Sequence, residues 1–213
     1  MAIVAENDNI RIERLRLGAY GTNAYILICQ RTGDSVVIDA PGEAERILER
    51  LEGANPKYIL ITHNHADHTG ALAALKTALK VPVGVHASDA DNLGLSPEWL
   101  LKDNDVVEFG NVRLTVLHTP GHTGGSISFY TDGFLLAGDT LFPNGPGKTG
   151  SAGAFRQIIQ SITDKFFTLP EDTLVFPGHG ESTNIGQEKK AYEVFSAKPR
   201  DPNMYGDVLW SSA

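Results

Sequence analysis

The first nine residues, which end in the polar run Glu6-Asn-Asp-Asn9, are expected to be loose. Next comes Ile10-Arg-Ile-Glu-Arg-Leu-Arg-Leu17, where apolar and charged positions alternate with the period of a half-buried strand. Gly18 and Gly21 end it. Ala24 to Cys29 and Val36 to Ile38 are continuous apolar runs separated by Arg31-Thr-Gly-Asp34, a hairpin-turn composition, so the chain opens with antiparallel strands. From Glu43 onward Ile47, Leu48 and Leu51 recur at helical spacing until Gly53 and Pro56 stop the helix. Tyr58 to Ile61 reads as a buried strand, a polar His-rich loop follows, and Gly70 to Leu79, rich in Ala and Leu, predicts another helix.

The second half repeats the theme. Val83 to Val85, Val106 to Phe109, Val112 to Leu117, Ile127 to Tyr130 and Phe134 to Ala137 predict strands, with hairpin breaks at Gly110-Asn111 and Asp132-Gly133. A Gly-rich stretch from Gly145 to Gly153 precedes a helix near Phe155 to Phe166. Leu174 to Phe176 is a last strand and Asn184 to Phe195 a final helix. Strands grouped in both halves, with helices between and after them, predict an α+β chain in which two stacked sheets are covered by helices.

Composition narrows the picture. The 213 residues are 41% hydrophobic and 21% charged with no low-complexity linker, so residues 1–213 read as one domain. A chain this long buries roughly 70% of its unfolded surface, enough for a core without staples, so any metal is expected to be functional. With 18 Lys and Arg against 26 Asp and Glu, the net charge of -8 repels polyanions and argues against nucleic acid as a partner. Cys29 is the only cysteine, which excludes an internal disulfide and a Cys-rich zinc framework and fits a packing role. No stretch reaches 18 apolar residues, and Glu6 and Asp8 interrupt any leader core. The expectation is a cytoplasmic chain that takes a small-molecule substrate and no membrane.

Three of the seven histidines fall within His63-Asn-His65-Ala-Asp67-His68. Chance would produce such a window in roughly one of two thousand chains. Imidazole and carboxylate are ligands that borderline divalent metals accept, and an extended backbone lets His63 and His65 converge while Asp67 and His68 face another way. The bland alternative is a solvated loop, or a helix cap at Asp67. Three further groups follow strand ends: His122 in Thr119-Pro-Gly-His-Thr-Gly-Gly-Ser126, Asp139 in Ala137-Gly-Asp-Thr140, and His179 in Pro177-Gly-His-Gly180. Loops beyond strand ends gather into sites, so these are expected on one sheet edge. Phe142-Pro-Asn-Gly-Pro-Gly-Lys-Thr149 ends like a phosphate-binding loop but lacks the first Gly, and glycines continue where a helix should begin. His86 and His118, in or at the end of strands, read as supporting histidines.

His63-x-His-x-Asp-His68, Gly121-His122, Gly138-Asp139 and Gly178-His179, in that order, resemble the metal-site signature of the metallo-β-lactamase fold superfamily, over Asn23 to His179. The resemblance implies a four-layer αββα sandwich with up to two divalent ions in a groove at one edge. It assigns His63, His65 and His122 to the first ion, Asp67, His68 and His179 to the second, and Asp139 as the bridge. Zinc is expected, with iron or manganese compatible with the same ligands. Asp67 and Asp139 then carry catalytic roles: two ions roughly 3.5 to 4 Å apart lower the pKa of a shared water from 15.7 toward 7, giving a hydroxide that attacks a carbonyl.

Thr22-Asn-Ala-Tyr25, Gly138-Asp-Thr-Leu-Phe142 and Pro177-Gly-His-Gly-Glu-Ser-Thr-Asn-Ile-Gly186 are similar to glyoxalase II (hydroxyacylglutathione hydrolase) and its short bacterial relatives, which implies hydrolysis of a thioester such as S-lactoylglutathione. The chain departs from that pattern in being short after His179 for the family's C-terminal helical domain, and in having Gly147-Lys148 where Gly-Arg is usual. Lys148 is the candidate contact for an anionic substrate group. Rival chemistries of the same fold are a persulfide dioxygenase using one iron on His63, His122 and Asp139, and a lactonase or other ester hydrolase. A non-enzymatic scaffold would be favoured by loss of ligands, and all seven are present.

Overall fold

The computed structural model describes residues 2–212. Its first half is a seven-stranded sheet in chain order: β1 (Ala2–Glu6), β2 (Ile10–Leu17), β3 (Thr22–Cys29), β4 (Asp34–Ile38), β5 (Asn55–Leu60), β6 (Val83–His86) and β7 (Trp99–Leu101). The pairs β1 to β4 are antiparallel and β4 to β7 parallel, with α1 (Ala44–Arg50), α2 (Ala66–Thr69), α3 (Leu72–Leu79) and α4 (Ala87–Ala90) as the connections. The second sheet takes β8 (Val106–Phe109), β9 (Val112–His118), β10 (Ile127–Thr131) and β11 (Phe134–Gly138), then β14 (Leu174–Pro177) and β15 (Thr183–Asn184) beyond β11. Between β11 and β14 lie a small hairpin, β12 (Leu141–Phe142) with β13 (Gly145–Pro146), and α5 (Ala152–Ser161), which continues as a π-turn, Ile162–Phe166. α6 (Ile185–Ser196) follows β15, and Asn184 caps it by accepting from the Gln187 N–H.

Three apolar clusters separate the layers. Tyr25, Leu27 and Cys29 of β3 face β8 to β11 across the space between the sheets, while Ala24, Ile26 and Ile28 face α1 and α3. Both faces of β3 are therefore covered, which is why its sequence reads as a continuous apolar run. The outer face of the second sheet packs on α5 and α6, with Phe155, Ile158, Phe166 and Phe195 joined by Val208 and Trp210 of the chain's end. The order helix, sheet, sheet, helix is the expected αββα sandwich. Among the described residues no helix is long and apolar enough to cross a membrane.

The structure corrects several local expectations. Residues 2–6 are not loose: the run Ala-Ile-Val-Ala-Glu forms the edge strand β1 against β2, where Val4 and Ala5 rest on the inter-sheet core. The charged positions of β2 are not all solvated either. Glu13 is fully buried, with Arg11 at 2.9 Å and Arg50 of α1 as partners. The short strand β7, the single-turn α4 and the hairpin β12–β13 carry patterns too brief to be legible. In the His-rich segment the backbone is extended through His65, but Ala66–Thr69 is a helical turn, so Asp67 and His68 turn away from His63 and His65 on a helix rather than by strand alternation.

Candidate metal centre

Each candidate residue leaves the C-terminal end of a strand, or lies just beyond one. His63 follows β5, His122 follows β9, Asp139 follows β11 and His179 follows β14. β4 and β5 are parallel in one sheet and β11 and β14 in the other, so both sheets deliver these loops to one edge of the sandwich. All seven side chains converge there.

Three histidines form one half of the cluster. His65 Nδ1 lies 3.1 Å from His63 Nε2 and 2.9 Å from His122 Nε2. The opposite ring nitrogens of His63 and His122 are engaged outside. His63 Nδ1 is 3.0 Å from Thr62 Oγ1, whose own proton goes to Asp39 at 2.8 Å, so we assign Nδ1 as the donor and leave the Nε2 lone pair facing inward. His122 Nδ1 donates to the Lys148 carbonyl at 2.8 Å with the same result. Burial, reinforced by His68, holds His63 well below the ordinary imidazole pKa; burial and His122 lower His65. The three imidazoles converge on one point and could hold a cation there.

Asp67, His68 and His179 form the other half. His179 Nε2 is 3.2 Å from Asp67 Oδ2 and 3.4 Å from His68 Nε2. Asp139 stands between the halves, its Oδ2 3.6 Å from His122 Nε2 and 3.5 Å from His179 Nε2. Its Oδ1 is buried without a hydrogen-bond partner and lies 3.4 Å from His68 Nε2. An orphaned carboxylate oxygen among imidazole nitrogens is what a divalent ion would satisfy, so the donor set fits one. Burial alone would raise Asp139, but His68 and the other imidazoles outweigh it and hold the carboxylate well below its usual range. Burial likewise opposes charge on His68, yet Asp39 and Asp139 push it up to about 10; a cation bound at Nε2 would take that proton's place.

Asp39 lies outside the sequence signature. It sits one residue beyond β4, buried, and accepts from His68 Nδ1 at 2.7 Å and from the Thr62 N–H at 2.8 Å, so it orients ligands from both halves. A signal existed: Asp39 directly follows an apolar strand run, the same position relative to a strand as Asp139. The Thr22-Asn-Ala-Tyr25 run also gains a reason. Asn23 N–H and Nδ2 and the Tyr25 hydroxyl donate to the Gly178 and Pro177 carbonyls at 2.7 to 2.9 Å, pinning the His179 loop, and Thr22 Oγ1 donates to Asp67 at 3.1 Å. Gly178 is required by close approach, since a Cβ there would lie 2.1 Å from Asp139 Oδ1.

The remaining expectations divide. Cys29 is buried in the inter-sheet core. His86 and His118 stack on each other at 4.0 Å, and His118 Nε2 reaches the Gly124 carbonyl at 3.0 Å, which places them against the His122 loop and outside the cluster. The run resembling a phosphate loop folds as the β12–β13 hairpin, and α5 begins only at Ala152 with Ser151 as its cap. Lys148 is exposed at the rim, 3.6 Å from Asp207. A cavity of about 310 Å³ opens onto His122, Asp139 and His179, walled by Phe142, Pro143, Gly145 to Lys148 and, from the chain's end, Asp207 to Leu209.

Comparison with known proteins agrees with the geometry. Residues 17–179 match the sequence profile of the metallo-β-lactamase superfamily. The chain is 32% identical over 212 residues to hydroxyacylglutathione hydrolase GloC of Haemophilus influenzae, covering 89% of this chain and 100% of that protein. It superposes on the crystal structure of the BLEG-1 B3 metallo-β-lactamase with a TM-score of 0.77 at 33% identity, over 84% of this chain and 96% of the other. On ETHE1 from Myxococcus xanthus the TM-score is 0.79 at 29% identity, over 90% and 87%. With a profile match across most of its length, the αββα sandwich and the clustered His and Asp groups at its edge, the chain belongs to the metallo-β-lactamase superfamily.

Proposed function

We propose that the protein is a two-ion metal hydrolase acting on a thioester such as S-lactoylglutathione. The observation that carries the reading is Asp139 between two three-ligand sets, 3.6 Å from His122 and 3.5 Å from His179 through one oxygen. His63, His65 and His122 would hold the first ion, Asp67, His68 and His179 the second, with Asp139 bridging. Divalent ions there, zinc first among them, would polarise a carbonyl oxygen and lower the pKa of a shared water toward 7. Asp67, braced by Thr22, would orient that water. Among the described residues, the cavity wall holds no carboxylic acid besides Asp139 and the rim Asp207, so a leaving group that departs as a thiolate, without a proton donor, suits it. Similarity to hydroxyacylglutathione hydrolase GloC over that protein's full length supports the same substrate class. Lys148 would attract an anionic end of the substrate, in competition with Asp207.

Elemental analysis of the purified protein, followed by kinetics on S-lactoylglutathione, simpler thioesters, a lactone and a β-lactam, tests the reading. Two metal equivalents and preference for the thioester are expected. A lactone or lactam favoured ten-fold or more in kcat/KM, about 1.4 kcal/mol in transition-state binding, would end the thioesterase reading and leave the two-ion hydrolase. One iron with oxygen uptake on glutathione persulfide would replace hydrolysis by the dioxygenase reaction.

A further inference from the structure

The three-histidine set shares a support that touches none of its rings. α4 carries Asp89, only 3% exposed. Its Oδ2 accepts from the Asn64 backbone N–H at 3.1 Å and from the Thr123 hydroxyl at 2.7 Å, and its Oδ1 accepts from the Gly125 N–H at 2.9 Å. Asn64 lies between His63 and His65, and Thr123 follows His122. One carboxylate on a third segment, α4, therefore ties together the two segments that supply all three nitrogens, one residue away from each ring. Gly125 makes the approach possible: a Cβ there would lie 2.5 Å from Asp89 Cγ and Oδ1. Ser126 Oγ, 2.8 Å from Thr123 Oγ1 and accepting from the Thr123 N–H at 3.1 Å, stiffens the same turn. Bonds to an ionised acceptor are among the stronger ones, and removing this acceptor would strand two backbone N–H groups.

We propose that Asp89 is a positioning residue for the first ion: it fixes the separation between the His63-to-His65 segment and the His122 loop, and so sets how tightly those three histidines hold a metal. The inference rests on the two-ion reading of the centre and is independent of the thioester. The test titrates zinc into metal-free protein against a chromogenic chelator, the first-ion step being the one abolished by His65→Ala. Asp89→Asn keeps one acceptor oxygen and presents an NH2 that cannot accept. It should weaken that step on the order of 10- to 100-fold, the range for lost outer contacts of a metal site, and leave the second step in place. Gly125→Ala, whose methyl displaces the carboxylate, should give the same selective loss, and the double variant should be no worse than the weaker-binding single, because both break one set of contacts. Thr123→Val removes the hydroxyl's bonds to Asp89 and Ser126 and leaves both backbone N–H bonds to the carboxylate, so it should give a smaller loss, which keeps the test decisive if Asp89→Asn does not fold. Equal weakening of both steps, additive losses, or an unchanged first step in folded Gly125→Ala and Thr123→Val would overturn the proposal. A wild-type protein with one step that needs His65 would refute the two-ion reading, with Asp89 judged on that step. One step that does not need His65 would overturn both.

Discussion

At the scale of single residues, the arrangement separates groups that hold the centre from groups that merely lie near it. Asp139→Ala should abolish turnover and leave the thermal midpoint within a few degrees of wild type, because the inter-sheet core does not rest on that side chain. Full activity in this variant would refute the bridging assignment. Asp39→Asn leaves one acceptor oxygen for three donors, the fully buried His68 Nδ1–H and the Thr62 N–H and hydroxyl, and should weaken the second ion about 10- to 100-fold, as loss of an outer carboxylate does elsewhere. A chelator competition would read it. His118→Ala should cost less than either, since it removes one stack and one bond to the Gly124 carbonyl; equal loss of activity to Asp139→Ala would give His118 a direct role.

At the scale of elements, the cavity is built where the β12–β13 hairpin meets the end of the chain. Glu188 of α6, buried, accepts from the Asn144 N–H at 2.9 Å, from Trp210 Nε1 at 3.1 Å and from Thr183 Oγ1 at 2.7 Å, so one side chain joins the hairpin, the C-terminal segment and the strand after His179. Glu188→Gln replaces one acceptor oxygen by a donor. It should destabilise by about 1–3 kcal/mol and raise KM more than it lowers kcat, because it loosens the cavity wall and leaves the ligands alone. Burial raises the Glu188 carboxyl. A raised acid stabilises the folded state fully below its unfolded pKa, about 4.3, and loses that contribution as pH rises through the folded value. The deficit of Glu188→Gln against wild type should therefore be largest in acid and shrink toward neutral pH. Denaturant titrations of both proteins across that window check the sign.

At the scale of the whole molecule, stability and metal binding are separable. The two sheets bury their shared core without any of the seven clustered side chains, so chelation should stop turnover and lower the thermal midpoint by only the free energy of the lost ions, leaving a cooperative transition. Far-ultraviolet circular dichroism before and after chelation would show the same strand content. Collapse to an unfolded chain on metal removal would mean that the centre is also a structural staple.

The sequence by itself determined the strands that are covered on both faces, the helices with clear period and caps, and the residue types of the centre. Each of these is written locally: an apolar run such as Ala24 to Cys29, a cap such as Asn184, four ligand-type side chains within six residues at His63 to His68. The tertiary structure decided what depends on neighbours far along the chain. β1 is a strand only because β2 offers it an edge. Asp67 and His68 face the second half of the centre because Ala66–Thr69 turns helical. Asp39, Asp89 and Glu188 resemble any loop or helix carboxylate until folding places them beside His68, Asn64 and Trp210. The physical reason is burial. A carboxylate in water is already satisfied and specifies nothing, whereas one removed from water must take up donors, and only the packed sandwich selects which donors are within reach.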